Sequence, residues 1–161
     1  MRKALAVAAG VLVLIAVNWT IYARERLLAE GTVVLLDLAP VDPRSLMQGD
    51  YMALRFAVAD RVERREKSAD GRIVVRLDER GVGRFMRVDT GSPLAEREIA
   101  LRYRVREGRV KFATNAYFFQ EGRGEDYAAA RFGEFRVAPS GDMLLTGLRG
   151  KDLELLGRAR R

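Results

Sequence analysis

The stretch "IALRYRVREGRVKFATNAYFF", Ile99 to Phe119, decides the fold. Ala100, Arg102, Arg104 and Arg106 fall on one side of an extended chain, with Leu101, Tyr103 and Val105 on the other. That period of two belongs to a half-buried β-strand. Glu107-Gly108 supplies a two-residue turn, after which Val110, Phe112 and Thr114 alternate again, so the stretch reads as a β-hairpin. Three aromatics follow, Tyr117, Phe118 and Phe119. Neighbours on one strand cannot all face inward, so at least one must point to solvent or to a partner.

Working outward, the same periodicity recurs in shorter runs. "TVVLLDLAP" is β-branched and stops at Pro40, and "YMALRFAVAD" predicts a strand over Met52 to Val58. "GRIVVRLDERG" and "GRFMRV" are short strands set among glycines, and "GEFRVAPSGDMLLTGL" is a second hairpin with its turn at "PSGD". "EDYAAARF" has helical composition with Gly133 as its stop, and "KDLELLGRARR" predicts a final short helix. The charged run "DRVERREKSADG" reads as an exposed loop or strand end. Seven to nine strands with one or two short helices predict a mainly β fold, a small barrel or rolled antiparallel sheet.

The N-terminus sets a different expectation. "MRKALAVAAGVLVLIAVNWTIYARER" begins with Arg2 and Lys3 and carries no charge from Ala4 to Tyr22. A helix over that apolar run covers roughly 28 Å, close to the hydrocarbon thickness of a bilayer. Trp19 and Tyr22 stand where an aromatic belt would, and Arg24 and Arg26 close the segment. No small-x-small cleavage pattern follows, so we read an uncleaved signal anchor, one transmembrane helix, in preference to a signal peptide. The short basic tail places the remainder outside the cytoplasm. "Asn18-Trp19-Thr20" matches a glycosylation acceptor, but it falls at the expected membrane end. The expected organisation is an anchor with a brief helical continuation over 1–30, ended at Gly31, and an extracytoplasmic β-rich domain over 31–161.

Composition narrows the chemistry. The 161 residues include no cysteine and no histidine, which removes disulfides, Ser-His-Asp and Cys-His catalysis, and His-liganded zinc. The net charge of +7 rests on 25 arginines against four lysines. These basic residues interleave with acids, show no nucleic-acid motif, and form a solvated surface whose functional counterpart would be lipid headgroups or an acidic envelope polymer. Glu121, Glu125 and Asp126 lie close together but lack the alternating oxygens of a calcium loop, so no metal and no cofactor is expected. Gly122 and Gly124 instead turn a strand into a helix whose first turn carries two acids.

One loop stands apart, "PVDPRSLMQGDYMALRF", Pro40 to Phe56. Asp42-Pro43 starts a turn, Gly49 suits a positive φ, and Asp50 can bond a neighbouring N–H. Arg44 and Ser45 are required by no turn. Together "DPRSL" and "GDYMALRF" resemble the membrane-anchored bacterial proteins named for a GDYxxLxY signature. Gly49, Asp50, Tyr51 and Leu54 match it, and Phe56 stands where the final Tyr would be. "YFFQEG" and "ARFGEFRV" look like that family's second block. The resemblance implies a single anchor in the inner membrane, a periplasmic domain, and encoding beside multi-pass membrane proteins; it brings no activity. The same loop is similar to the strand that follows the nucleophile of signal peptidases. Here Val41 occupies the serine position, Arg84 and Arg87 stand where a lysine would be sought, and Ser45 with Lys111 is the one dyad that can be written.

The expected function is a membrane-anchored accessory or binding subunit of a larger membrane assembly, with a multi-pass protein as partner and no nucleic acid, a small-molecule ligand being left open. The expected contact surface comprises Asp42, Arg44, Ser45, Gly49, Asp50, Tyr51 and Leu54, with Tyr117, Phe118, Glu121 and Gly122. A signal-peptidase-like fold without, or with unrecognised, hydrolase activity, or a binder of acidic envelope polymer or lipid headgroups, is the alternative.

Overall fold

Val34, Leu36, Phe135, Val137 and Leu148 are almost wholly buried, and their strands assemble around them. The computed structural model describes residues 2–39, 47–48, 51–63, 70–114 and 116–157. A long helix α1 (Arg2–Glu30) leads into β1 (Thr32–Asp37), β2 (Met47–Gln48), β3 (Tyr51–Ala53) and α2 (Ala57–Glu63). Then come β4 (Gly71–Leu77), β5 (Gly83–Val88), β6 (Glu98–Arg106), β7 (Arg109–Lys111) and β8 (Ala116–Phe118). A 3-10 turn (Gly124–Tyr127) precedes β9 (Phe132–Val137) and β10 (Met143–Arg149).

The strands form three antiparallel sheets, ordered β1-β9-β10, β2-β3-β8 and β5-β4-β6-β7. Short links curl them into a half-barrel. Leu35 bridges Val82 in parallel, Leu38 bridges Phe56, and the Arg102 N–H donates to the Gly141 carbonyl at 2.9 Å. Gly141 lies at φ 87°, so a glycine is what lets the β9–β10 turn approach β6 so closely. Inside, Phe56 packs edge-on against Phe135 and Phe112, with centroids 5.2 and 6.5 Å away, and Tyr103 meets Phe112 at 6.3 Å. Such aromatic pairs add about 0.5–1.5 kcal/mol each beyond their buried area.

The long hairpin forms as its alternation requires. Leu101 and Tyr103 are buried while Arg102, Arg104 and Arg106 are exposed. Glu107 and Gly108 both take positive φ, 55° and 72°, the signature of a type I′ turn. Outside, many of the arginines are paired with acids. Glu98 receives Arg87 at 2.8 Å and Arg76 at 3.2 Å, Asp89 receives Arg72 at 2.9 Å, and Asp37 receives Arg84 at 2.7 Å.

Several expectations meet a different structure. The strand over Met52 to Val58 ends at Ala53; Phe56 bridges to Leu38, and Ala57–Glu63 is helical because Val58, Ala59 and Val62 then share one buried face. Gly133 does not stop a helix. It lies inside β9, where a Cβ would sit 2.8 Å from the Phe56 ring. "EDYAAARF" makes only a 3-10 turn, and the C-terminal segment makes no helix through residue 157, because Leu153 and Gly157 take φ of 65° and 75°. Finally, the N-terminal segment is one helix of 29 residues, yet among the described residues no helix is long and apolar enough to cross a membrane.

The junction between α1 and the half-barrel is specific. Leu27 is buried, the Gly31 N–H donates to the Leu27 carbonyl at 3.0 Å, and Arg136 from β9 donates to the Gly31 carbonyl at 3.0 Å. A Cβ at Gly31 would lie 2.4 Å from that Leu27 oxygen, so the helix ends where only glycine fits.

Candidate functional site

Strand β3 begins with Tyr51 and pairs with β8 in the register Tyr51↔Phe118, Met52↔Tyr117, Ala53↔Ala116. Alternation splits the two strands cleanly. Met52 goes into the core at 3% exposure, while Phe118 stands outside at 74%. The Tyr51 and Phe118 rings lie 5.8 Å apart at 41°, forming an aromatic pair on the outer face. Among the described residues β8 is the last strand of its sheet, so this pair borders an edge that another chain could reach. The requirement that one of the three consecutive aromatics face outward is met by Phe118.

The neighbouring aromatics are anchored from behind. Tyr117 meets Tyr127 edge-on at 5.1 Å, and Phe119 stacks on Tyr127 at 5.3 Å. Burial, followed by hydrogen bonding with Tyr127, pushes the Tyr117 phenol up to about 12, so it is a neutral hydroxyl throughout the physiological range. Gly157, at φ 75°, passes so close to the Tyr127 ring that a Cβ there would collide with its hydroxyl. Tyr127 is therefore the post that holds β8's neighbours in place. Sequence reading assigned it only to a helix, although an aromatic followed by three alanines marks a ring with room to pack.

The other expected residues separate by environment. Leu54 is buried at 5% exposure and packs in the core, as does Phe56 at 2%. The Phe56 ring is surrounded by Phe112 and Phe135, and a tyrosine hydroxyl there would need a polar partner of its own. Glu121 and Gly122 form an exposed turn, with Gly122 at φ 76° and the Arg123 N–H donating to the Gln120 carbonyl at 3.0 Å. Arg123 then pairs with Asp126 at 2.6 Å. Asp42, Arg44, Ser45, Gly49 and Asp50 lie outside the described residues.

Arg84 and Arg87, at the position where a peptidase lysine would be sought, are committed to Asp37 and Glu98. Among the described residues no three His, Cys, Asp or Glu side chains converge to hold a cation.

A second surface was not anticipated. Arg24 from the end of α1, Arg102, Arg104 and Arg106 from β6, and Lys111 from β7 line a groove of about 400 Å³ floored by Met143, Leu144 and Leu145. The signal was present in the hairpin: a two-residue turn at Glu107-Gly108 sets Arg104 directly across from Lys111.

Fold and surfaces together define a class: a small half-barrel domain at the end of a long helix, with an aromatic strand edge and a basic groove. The chain belongs to the GDYXXLXY protein family, whose model matches residues 13–148, from the middle of α1 to the end of β10. No curated protein and no solved structure matches it.

Proposed function

We propose that this protein is a membrane-anchored accessory subunit that docks a multi-pass membrane protein through its β3–β8 edge, on the extracytoplasmic side of the inner membrane. The observation that carries the reading is Phe118. A large aromatic side chain is 74% exposed beside Tyr51 of the family signature, on the terminal strand of its sheet. Exposed aromatics at strand edges are the anchors from which interfaces are built.

The anchor half of the proposal draws on α1. Val11, Leu12, Val13, Leu14, Ile15 and Val17 are each about half or more exposed, and at 100° per residue these successive positions cover every side of the helix. A helix that is apolar all round calls for a surround of protein or lipid. The two polar residues that follow, Asn18 and Thr20, bond back to the helix's own carbonyls. Asn18 donates to the Leu14 carbonyl at 2.9 Å, and Thr20 donates to the Val17 carbonyl at 2.7 Å. Self-satisfaction of this kind suits hydrocarbon.

The test is co-purification of the full chain from native membranes in mild detergent. A multi-pass membrane protein is expected with the wild type and not with Phe118→Ser, whose fold should be within about 0.5 kcal/mol of the wild type because the side chain is exposed. Recovery of clean monomer from the wild type, or unchanged capture by the variant, rejects the edge as the docking site.

A further inference from the structure

The basic groove carries an unbalanced charge that the fold does not need. In the β6–β7 ladder Arg104 stands opposite Lys111, and Arg106 opposite Arg109. Like charges directly across a ladder oppose pairing. Elsewhere on this surface the protein cancels such conflicts: Arg72 opposes Arg102, but Asp89 holds the first and Asp142 the second, each at 2.9 Å. Arg106 is similarly held by Asp70 at 3.0 Å.

Arg104 and Lys111 are treated differently. The hydrogen bonds of Asp70 go to the Val105 N–H and to Arg106, leaving Arg104 only its longer-range field. Lys111 has Glu107 at 4.0 Å, and that carboxylate is 88% exposed, which leaves little attraction after solvent screening. Arg24 adds a third cation from α1, and among the described residues no carboxylate pairs with it or with Arg104. Three cations with at most a weak, solvent-screened carboxylate contact thus converge beside Met143, Leu144 and Leu145, and the one described carboxylate lining the groove, Asp142, is held by Arg102.

We infer that this groove takes the phosphate of an anionic phospholipid headgroup from the membrane leaflet facing the β domain. The inference rests on α1 acting as an anchor, since Arg24 follows the apolar run by two residues and so lies at headgroup depth. Guanidinium and ammonium donors bind the phosphate oxygens, and the apolar floor accepts the glycerol and first methylenes. A free phosphate would use the cations but not that floor.

The full chain is inserted into nanodiscs of equimolar phosphatidylcholine and phosphatidylglycerol, and the lipid it retains on release is read by native mass spectrometry. Wild type should retain phosphatidylglycerol in excess, and Arg104→Gln with Lys111→Gln should cut that excess about tenfold. Arg84→Gln, on β5 and away from the groove, should leave it unchanged; an equal loss there would mean diffuse attraction and overturn the site. Displacement of phosphatidylglycerol by millimolar inorganic phosphate would also overturn it, by assigning the groove to a soluble anion. Failure to enter nanodiscs refutes the anchor together with the lipid site. Entry with no preference between the two lipids refutes the groove alone.

Discussion

At Glu107 the chain accepts a left-handed conformation, φ 55°, in a residue that gains nothing from it. A side chain other than Asn, Asp or Gly loses about 1–2 kcal/mol there through contact of Cβ with the backbone. The reward is the β6–β7 turn, whose twist matches its strands. Glu107→Asn should therefore stabilise the domain by about 1 kcal/mol, checked as a higher urea midpoint with an unchanged slope. The exposed Lys111 contact is too weak to offset this gain. The same hairpin register was legible in the sequence, because a two-residue turn leaves one way to pair what flanks it. The exposure of Phe118 was only half legible. Alternation requires that one of three adjacent aromatics face outward, but which one depends on β8 pairing with β3, a contact between distant segments.

Among the elements, β6 is the most heavily tied. Its first residue, Glu98, has a side chain 3% exposed and binds Arg87 of β5, Arg76 of β4, and the Ala95 N–H. The hydrogen bond from Arg87, then that from Ala95, holds its carboxyl below the ordinary glutamate range. Because the folded value is depressed, the stabilisation is present above the unfolded value, about 4.3, and is lost as pH falls through the folded one. Asp70 shifts in the same direction, chiefly through the Val105 N–H and then Arg106. Thermal unfolding from neutral to strongly acid pH should show a steep acid fall in the wild type. Glu98→Gln should melt lower at neutral pH and fall less steeply, with a residual slope from Asp70. Identical slopes in both proteins would remove Glu98 from the acid response. Helix α2 makes the complementary point about legibility. Met52 to Val58 alternates well enough to look like strand, but the Leu38↔Phe56 bridge ends the pairing and tertiary burial selects the helix.

For the whole molecule, the decisive relation is between α1 and the half-barrel. Leu27, Gly31 and Arg136 fasten the end of the helix to β9, which fixes Arg24 beside the β6–β7 hairpin. On the proposed reading, lipid solvates the apolar flank of α1 and the domain sits directly on the headgroups. Leu14→Arg introduces a charge into the middle of the apolar run, at a cost of about 2.5–3.5 kcal/mol for a membrane-centred arginine. Carbonate extraction and flotation should then release the variant while the wild type stays with the membrane. Equal retention of both would count against α1 as the anchor.

The sequence by itself determined the period-two strands, both hairpins with their turns, the long N-terminal helix with its stop at Gly31, and the family signature. All of these are local: they follow from alternation, turn chemistry and the absence of a Cβ. Tertiary structure alone decided that Leu54 and Phe56 of the signature face the core, that Gly133 belongs to a strand, that the C-terminal segment turns instead of coiling, and that Arg24 joins Arg104 and Lys111 in one groove. Each of these depends on which distant segments meet, and the physical reason is packing. A ring such as Phe56 claims the space where a neighbouring Cβ would lie, and no run of adjacent residues records that claim.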